Sequence, residues 1–311
     1  MGDTFMATAV SDRLRKPRRR ASQREYTLTI VLFLLPLFAL LAVFIIWPII
    51  SSFQLSLTKW NGITTAREFI GFANWLQLLR DPVFWKALAN NILIVVLSLV
   101  FQLPIGMALA VLLDKGGKRL RVFKTIYFFP LLMSSVASGI LFKYVYDPTF
   151  GLVSSFLRGV GLGSLVRNWL GDPQVVLFSV LAVICWEYIP FYMILFLAAM
   201  TGIPEELHEA AVIDGATENQ YFWRITLPLL YGTIRVAAAL SLIGSLKYFD
   251  LIWVMTEGGP TRATELMATY MVKEAFQAFH MGYGSTIASA MFVIIMVIAL
   301  VVLRITRRKE A

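Results

Sequence analysis

Long stretches without a charged side chain are the feature that most limits how this chain can fold. Residues 26–58 contain no Asp, Glu, Lys or Arg, and further uncharged runs follow at 87–113, 125–142, 188–204 and 275–303. A helix needs about 20 apolar residues to cross a bilayer. The runs therefore predict an all-α, polytopic membrane protein with six transmembrane helices. The predicted spans are 27–51, 86–113, 123–145, 174–200, 228–256 and 282–304.

The charge distribution predicts the orientation of these spans. The net charge of +9 would suit a nucleic-acid binder, but membrane proteins concentrate Lys and Arg in their cytoplasmic segments. With the N-terminus inside, the cytoplasmic segments 1–25, 114–124, 200–235 and 304–311 hold 18 of the 28 basic residues. We therefore expect both termini in the cytoplasm and no nucleic-acid partner. The expected domains are a basic tail over 1–25, a transmembrane domain over 26–306 and a short tail over 307–311.

A polar stretch between spans four and five, residues 201–228, predicts two short helices that meet at a glycine. Pro204 opens the first helix, because proline is tolerated at the first helical position. Gly215 ends it, because helices commonly end on a left-handed residue. Thr217, followed three residues later by Gln220, is a capping box that starts the second helix. We call this pair of helices the knuckle.

Small side chains share one face of the first helix of the knuckle. Leu207, Ala210, Ala211 and Asp214 are spaced so that they lie on the same side. Alanine leaves room for another surface to approach the backbone. The pattern predicts a docking element on the cytoplasmic side.

The knuckle also resembles a known family motif. Glu209, Ala210 and Ala211, followed by Gly215, are similar to the EAA motif of binding-protein-dependent ABC importer permeases. The resemblance implies that Glu209, Ala210, Ala211, Asp214 and Gly215 form a coupling element seated in a groove of a separate ATPase. The alternative interpretation is an ordinary helix–turn–helix connection between two membrane spans.

Other segments extend the resemblance over most of residues 30–303. Phe69-Ile-Gly71 and Asp81-Pro82 look like the approach to span two in six-helix sugar permeases, and Phe129-Pro130 resembles their span three. Residues 254–260, Val-Met-Thr-Glu-Gly-Gly-Pro, look like their connection between spans five and six. The resemblance is closest to the larger permease half of the maltose, glycerol-phosphate and multiple-sugar group. Two departures are Ser154, where Asn is expected, and Gly232, where a second proline is common.

The resemblance implies a type I ABC importer with several chains in a bacterial inner membrane. The expected partners are a second permease subunit in a heterodimer, two cytoplasmic ATPase subunits, an extracytoplasmic solute-binding protein and membrane lipid. ATP and Mg²⁺ would be bound by the ATPase chains, so we expect no cofactor on this one. The implied cargo is a sugar, an oligosaccharide or a related polyol.

Catalytic and metal-binding motifs are missing from the sequence. The nearest approach to a phosphate-binding loop, Gly116-Gly-Lys118, has Leu112 for the first glycine and Arg119 for the final Ser or Thr, and we interpret it as a basic cytoplasmic loop. His208 and His280 are far apart in the predicted topology, and Cys185 is the only cysteine. We predict no catalytic residue, no metal site and no enzyme activity on this chain.

Polar residues inside the predicted spans mark a candidate substrate path, because ionisable groups at membrane depth usually face a cavity or a partner. The candidates come from spans four and five: Glu187, Tyr188, Ser241, Ser245, Lys247, Tyr248 and Asp250. Lys247 and Asp250 are three residues apart, a spacing that allows them to pair on one helix face. The three charged residues either line the path or are structural, as a packing ion network or as residues near the outer interface.

Two other functions remain compatible with the sequence. An ion-gradient-driven secondary transporter would use Glu187 or Asp250 as its proton carrier. Such transporters often carry paired broken helices in two halves, and the sequence shows no such pairing. The other alternative is a scaffold or assembly factor that transports nothing.

Overall fold

A computed structural model describes residues 23–114 and 116–307, which divide into one compact unit ending at Ser51 and a larger one beginning at Ser52. Most of the predicted basic tail 1–25 and of the tail 307–311 lies outside the described residues. The first described helix, α1 (Gln23–Leu41), continues through a π-helical turn (Ala42–Ile46) into α2 (Trp47–Ser56). Span one is therefore confirmed as a helix, and it ends later than predicted.

The larger unit is mostly helical. Its only described strands are β1 (Thr58–Lys59) and β2 (Glu68–Phe69), an antiparallel pair. The helices up to the knuckle are α3 (Ala73–Arg80), α4 (Pro82–Asp114), α5 (Gly117–Phe128), α6 (Ser135–Val145), α7 (Leu152–Gly159) and α8 (Val176–Met200). The knuckle and the elements after it are α9 (Glu205–Ile213), α10 (Glu218–Tyr221), α11 (Leu227–Leu229), α12 (Tyr231–Leu246), α13 (Asp250–Thr256), α14 (Met267–Val272) and α15 (Met281–Arg307).

Four helices in the described chain are long and apolar enough to cross a membrane unaided. They cover Leu28–Ser56, Pro82–Asp114, Val176–Met200 and Met281–Val302. Two bent pairs bring the number to six if each pair counts as one span: Val122–Leu132 with Ser135–Val145, bent by 100°, and Glu218–Leu229 with Tyr231–Leu246, bent by 65°. Span three, predicted as one helix over 123–145, is therefore interrupted, whereas the 65° bend lies near the predicted start of span five.

The bend in span three has a local cause. Phe129–Leu132 forms a 3₁₀ turn containing Pro130, and Met133 is extended. The Ser134 hydroxyl then accepts a hydrogen bond from the backbone N–H of Ala137 and caps a new helix. The basic stretch before this bend, predicted as a loop, is helical from Gly117 because Lys, Arg and Leu favour helix.

Predicted span five, 228–256, is also interrupted after Leu246, at a point contacted by a residue that is distant in the sequence. α12 stops at Leu246, and α13 begins only at Asp250. The fully buried Asn91 of α4 donates hydrogen bonds from Nδ2 to the carbonyl oxygens of Ser245 (3.2 Å) and Leu246 (3.4 Å). Its Oδ1 accepts from the N–H of Met267 at 3.0 Å. One amide therefore satisfies the carbonyls at the end of α12 and positions the start of α14.

The core of the larger unit lies where α4 packs along α8. Leu103 and Met107 of α4 form an apolar cluster with Phe196 of α8. A Cβ on Gly106 would lie 2.9 Å from Cβ of Tyr192, so the missing side chain lets the two helices approach closely. The start of α8 differs from the prediction: Asp172 accepts a hydrogen bond from Gln174 N in a turn, and the helix begins at Val176.

Candidate functional site

The knuckle has the predicted construction. Gly215 has φ +73°, its N–H donates to the Val212 carbonyl (3.0 Å), and the N–H of Ala216 donates to the Ala211 carbonyl (2.9 Å). These two bonds form a Schellman ending, which satisfies carbonyls that a helix end leaves unpaired. The Thr217–Gln220 capping box is confirmed. Pro204 occupies the N-cap position and not the first helical position, so α9 begins at Glu205, one residue later than predicted.

The exposed face of the knuckle differs from the predicted one. Ala211 is only 7% exposed, so the prediction of a shared surface with Leu207, Ala210 and Asp214 is wrong for this residue. The Ala211 carbonyl accepts the Ala216 N–H at the end of α9, and the small Ala211 side chain is buried. Ile213, which the sequence pattern did not single out, is 85% exposed at the tip. Glu209 and Gly215 are exposed as well.

A side-chain contact between the two knuckle helices escaped the sequence analysis. His208 Nε2 of α9 lies 3.2 Å from Glu218 Oε1 of α10, and its ring meets the Tyr221 ring edge to face with centroids 4.8 Å apart. These contacts hold the two short helices at a fixed angle. The knuckle is thus a preformed unit with an apolar tip and an acidic first turn at Glu205 and Glu206.

The second candidate site is a cavity of 330 Å³ between α4, α8 and the α12–α13 break, which we call the central cavity. Six of the seven predicted path residues line it: Tyr188, Ser241, Ser245, Lys247, Tyr248 and Asp250. Glu187 is buried beside it, and its Oε1 accepts a hydrogen bond from the lining residue Ser135 at 3.3 Å. The structure therefore brings the whole predicted set together.

Unsatisfied polar atoms cluster at the central cavity. Glu187 Oε2, Ser241 Oγ and Tyr248 Oη are buried and make no hydrogen bond within the described residues. The hydroxyls of Tyr192 and Tyr188 approach Ser241 and Tyr248 without reaching hydrogen-bonding geometry. Buried polar groups are nearly always paired. The cavity therefore offers acceptors and hydroxyls to a polar ligand.

The pairing of Lys247 and Asp250 on one helix face, which their spacing allowed, is wrong. Lys247 follows the last residue of α12, and Asp250 is the first residue of α13, so the two do not share a helix. No salt bridge joins them in the part of the chain that the structure describes. The physical reason is the helix break imposed by Asn91. Both side chains instead line the central cavity.

Comparison with known proteins identifies the family. The family model described as binding-protein-dependent transport system inner membrane component matches residues 102–310, more than half of the chain. The chain belongs to this family. The predicted resemblance is confirmed, and the protein is a membrane-embedded transport permease.

Similar proteins span nearly the whole permease. A probable ABC transporter permease protein of Pyrococcus horikoshii is 34% identical over 91% of this chain and 96% of its own. The trehalose/maltose transport system permease protein MalF of Thermococcus litoralis is 32% identical over 89% of this chain and 92% of its own. A crystal structure of a bacterial alginate ABC transporter, in complex with a periplasmic protein holding an alginate pentasaccharide, matches with a TM-score of 0.80. It shows 26% identity over 92% of this chain and 95% of that one.

The permease contains a carboxylate clasp that the sequence did not reveal. Asp81 Oδ2 accepts hydrogen bonds from Tyr270 Oη (2.5 Å) and Tyr283 Oη (2.6 Å), and Oδ1 accepts from Val83 N (2.8 Å). Burial raises the pKa of Asp81, but these hydrogen bonds outweigh it and hold the pKa below the ordinary value. Burial and the bond to Asp81 raise the pKa of Tyr270. The clasp joins α4, α14 and α15.

A buried ion pair lies in the connection between α13 and α15. Glu265 is completely buried, with Oε2 2.7 Å from Lys273 Nζ and Oε1 accepting from the Thr269 hydroxyl at 2.7 Å. A Cβ on Gly258 would lie 2.7 Å from Glu265 Oε1, so a larger residue there would press on the pair. The sequence around residues 254–260 did not predict this ion pair.

Metal binding has no support in the described chain. No group of three His, Cys, Asp or Glu side chains is arranged to hold an ion there. His208 pairs with Glu218, and His280 Nδ1 lies 3.0 Å from Glu274 Oε2, in separate parts of the larger unit.

Proposed function

We propose that this permease is one membrane-spanning half of an ATP-driven importer for a saccharide or related polyol. The Thermococcus relative is named for trehalose and maltose, and the solved relative is an alginate transporter bound to its periplasmic protein. By this analogy the permease works with a second permease subunit, two ATPase subunits that bind ATP and Mg²⁺, and a soluble binding protein. The ion-gradient alternative gains no support from the family.

The proposed topology has six spans in a bacterial inner membrane with both termini in the cytoplasm. It rests on the basic residues concentrated in four of the seven non-membrane segments and on the four long helices and two bent pairs. This arrangement puts the knuckle on the cytoplasmic side, where ATP is. The outer face then carries the β1–β2 hairpin and α14.

The proposed mechanism is alternating access driven through the knuckle. Closure of the ATPase pair on ATP moves Glu209, Ala210, Asp214 and Gly215 as one rigid element, and the spans rock so that the central cavity opens outward. Hydrolysis returns the cavity to the inside. The observation that carries this mechanism is the preformed knuckle, because a preorganised turn with an exposed apolar tip transmits a displacement without first having to order itself.

Gly215 provides the decisive experiment. No atom lies within 4 Å of a Cβ built on this glycine, so a substitution there is limited by the backbone angle and not by space. Gly215→Val forces a β-branched residue to φ +73°, which such residues tolerate poorly. Gly215→Asn is the matched control, because asparagine tolerates the left-handed region. We expect Gly215→Val to lose ATPase co-purification and uptake while Gly215→Asn retains most of both. Normal coupling and uptake in Gly215→Val would sink the proposal.

The central cavity is the proposed substrate path, with its polar atoms as hydrogen-bonding partners for sugar hydroxyls. We expect Ser241→Ala and Tyr248→Phe each to raise the KM for uptake by roughly two- to tenfold, since one hydrogen bond contributes about 0.5–1.5 kcal/mol. Ser154→Ala is the control, because Ser154 is equally buried and unpaired but lies in α7 and does not line the cavity. Equal effects of the three variants would indicate a purely structural role.

A further inference from the structure

A second polar cavity, of 590 Å³, lies beneath the β1–β2 hairpin. We call it the hairpin cavity. Its walls come from the hairpin, from α3 and from the start of α15, and it shares no lining residue with the central cavity. Its volume falls within the range of small-molecule sites. Both the hairpin and the start of α15 lie on the outer face in the proposed topology.

The walls of the hairpin cavity are held by hydrogen bonds rather than by loose loop contacts. The N–H of Gly282 donates to the Trp60 carbonyl at 3.1 Å, and Asn74 Nδ2 donates to the Thr58 carbonyl at 3.0 Å. The Trp60 indole donates to Thr64 O at 2.6 Å, and the Arg67 guanidinium stacks 4.2 Å from the Trp60 ring centroid. The cavity is therefore preorganised.

Phe279 is the most unusual residue in these walls. Its φ is +55°, in a region that bulky residues rarely adopt, and its side chain is half exposed. Strained backbone persists where the surrounding structure enforces it, and it is concentrated at ligand-binding positions. An aromatic ring held in this way in the wall of a polar cavity offers a flat apolar face to a ligand.

Polar side chains line the same cavity as that ring. Lys59 and Glu68 face each other across the hairpin, and neither they nor Gln77 has a side-chain partner within the described residues. His280 contacts Glu274 Oε2 through Nδ1, and its Nε2 takes no part in that contact. The cavity thus combines donors, acceptors and an apolar face, with Lys59 and Glu68 balancing each other in charge.

We infer that the hairpin cavity binds a neutral saccharide at the outer face, separately from the central cavity. Sugar hydroxyls match the amide, carboxylate and ammonium groups, and the C–H faces of a sugar ring match Phe279. A cavity of this volume is typical of small-molecule sites, whereas a protein interface commonly buries about 800 Å² on each partner. The inference rests on the proposed saccharide transport, which could hold without it.

Photoaffinity labelling of the full transporter in lipid nanodiscs tests the inference. The probes are diazirine derivatives of maltotriose, cellotriose and xylotriose, and labelled peptides are identified by mass spectrometry. At least one probe should label residues 58–77 or 279–283. Phe279→Gly should weaken that labelling about tenfold, since it removes the ring contact. Glycine also relaxes the strained backbone at this position, so the variant should fold.

Two controls make the result decisive. Phe276→Ala removes another exposed ring that does not line the cavity, and it should leave labelling unchanged. Labelling of residues 240–251 reports the central cavity and should survive Phe279→Gly. Labelling confined to residues 240–251, with normal uptake, would overturn the hairpin site and leave the proposed function intact. A second outcome would also overturn the inference: no probe labels the hairpin, and the soluble binding protein protects the hairpin when it is added. The hairpin would then be a protein-docking surface.

Discussion

Single polar residues join distant parts of this permease, and Asp81 is the clearest example. One carboxylate receives two tyrosine hydroxyls, one from α14 and one from α15, together with a backbone N–H of its own helix. Asp81→Asn removes the charge and leaves only one amide oxygen to accept. We expect a loss of roughly 1–2 kcal/mol in unfolding free energy, toward the low end for charged hydrogen bonds because the group is partly solvated. Thermal unfolding in detergent measures it.

The pH dependence of that loss identifies its origin. Because folding lowers the pKa of Asp81, its stabilisation is present above the unfolded pKa of about 3.9 and disappears as pH falls through the folded value. The difference between wild type and Asp81→Asn should therefore be constant between about pH 5 and 8 and shrink below about pH 4. Asp172→Asn keeps an amide oxygen for the Gln174 N–H and loses only a long 3.9 Å approach to Arg167, so it should show little change. Equal losses in both variants would contradict the role of the clasp.

For single residues, the sequence predicted only structure that depends on near neighbours in the chain. Gly215 and the Thr217–Gln220 capping box follow from backbone rules that act over four or five residues, and both are confirmed. Asp81 and Asn91 have partners more than 150 positions away in the sequence. No spacing rule links residues at that separation, so the sequence indicated Asp81 only through the resemblance at the approach to span two and did not predict a role for Asn91.

At the scale of elements, apolar periodicity located the helices but not their interruptions. Span five was predicted as one helix over 228–256 because its residues are apolar. The chain instead breaks after Leu246, where tertiary hydrogen bonds replace helical ones. The same break brings Lys247, Tyr248 and Asp250 to the central cavity. The sequence therefore indicated residues that the fold brings together but not the helix break that assembles them, and their role in a substrate path stays a prediction.

Close packing of α4 on α8 is the element-scale feature most open to test. A Cβ on Gly106 would lie 2.9 Å from Tyr192 Cβ and 3.1 Å from Met193 N. The α8 backbone at these residues cannot shift without a cost in stability. We expect Gly106→Ala to destabilise the permease by about 1–3 kcal/mol. Gly232→Ala in α12 is the control, because nothing lies within 4 Å of its Cβ, and it should be neutral or more stable by up to about 1 kcal/mol. A stability gain in both variants would show that the two helices can separate without cost.

At the scale of the whole molecule, the sequence predicted the class of protein and left the assembly to analogy. Uncharged runs and the placement of basic residues led to a polytopic membrane protein, and the family match agrees. The sequence does not predict the partner chains in the same way, because a partner recognises the shape of a docking surface as well as its composition. Ile213 illustrates this: its position at the exposed tip depends on the angle between α9 and α10, which no sequence rule supplies.

The side of the membrane on which the knuckle lies decides between the proposed mechanism and any other. In a Cys185→Ser background, Ile213→Cys places a single thiol at the 85% exposed tip, and Ile63→Cys places one in the hairpin loop, where the residue is 71% exposed. A membrane-impermeant maleimide should label Ile63→Cys in spheroplasts and Ile213→Cys only in inside-out vesicles, because the two positions lie on opposite faces in the proposed topology. Adding the ATPase subunits should then protect Ile213→Cys and leave Ile63→Cys reactive. Labelling of Ile213→Cys in intact spheroplasts would put the knuckle outside, beyond the reach of any ATP-driven partner.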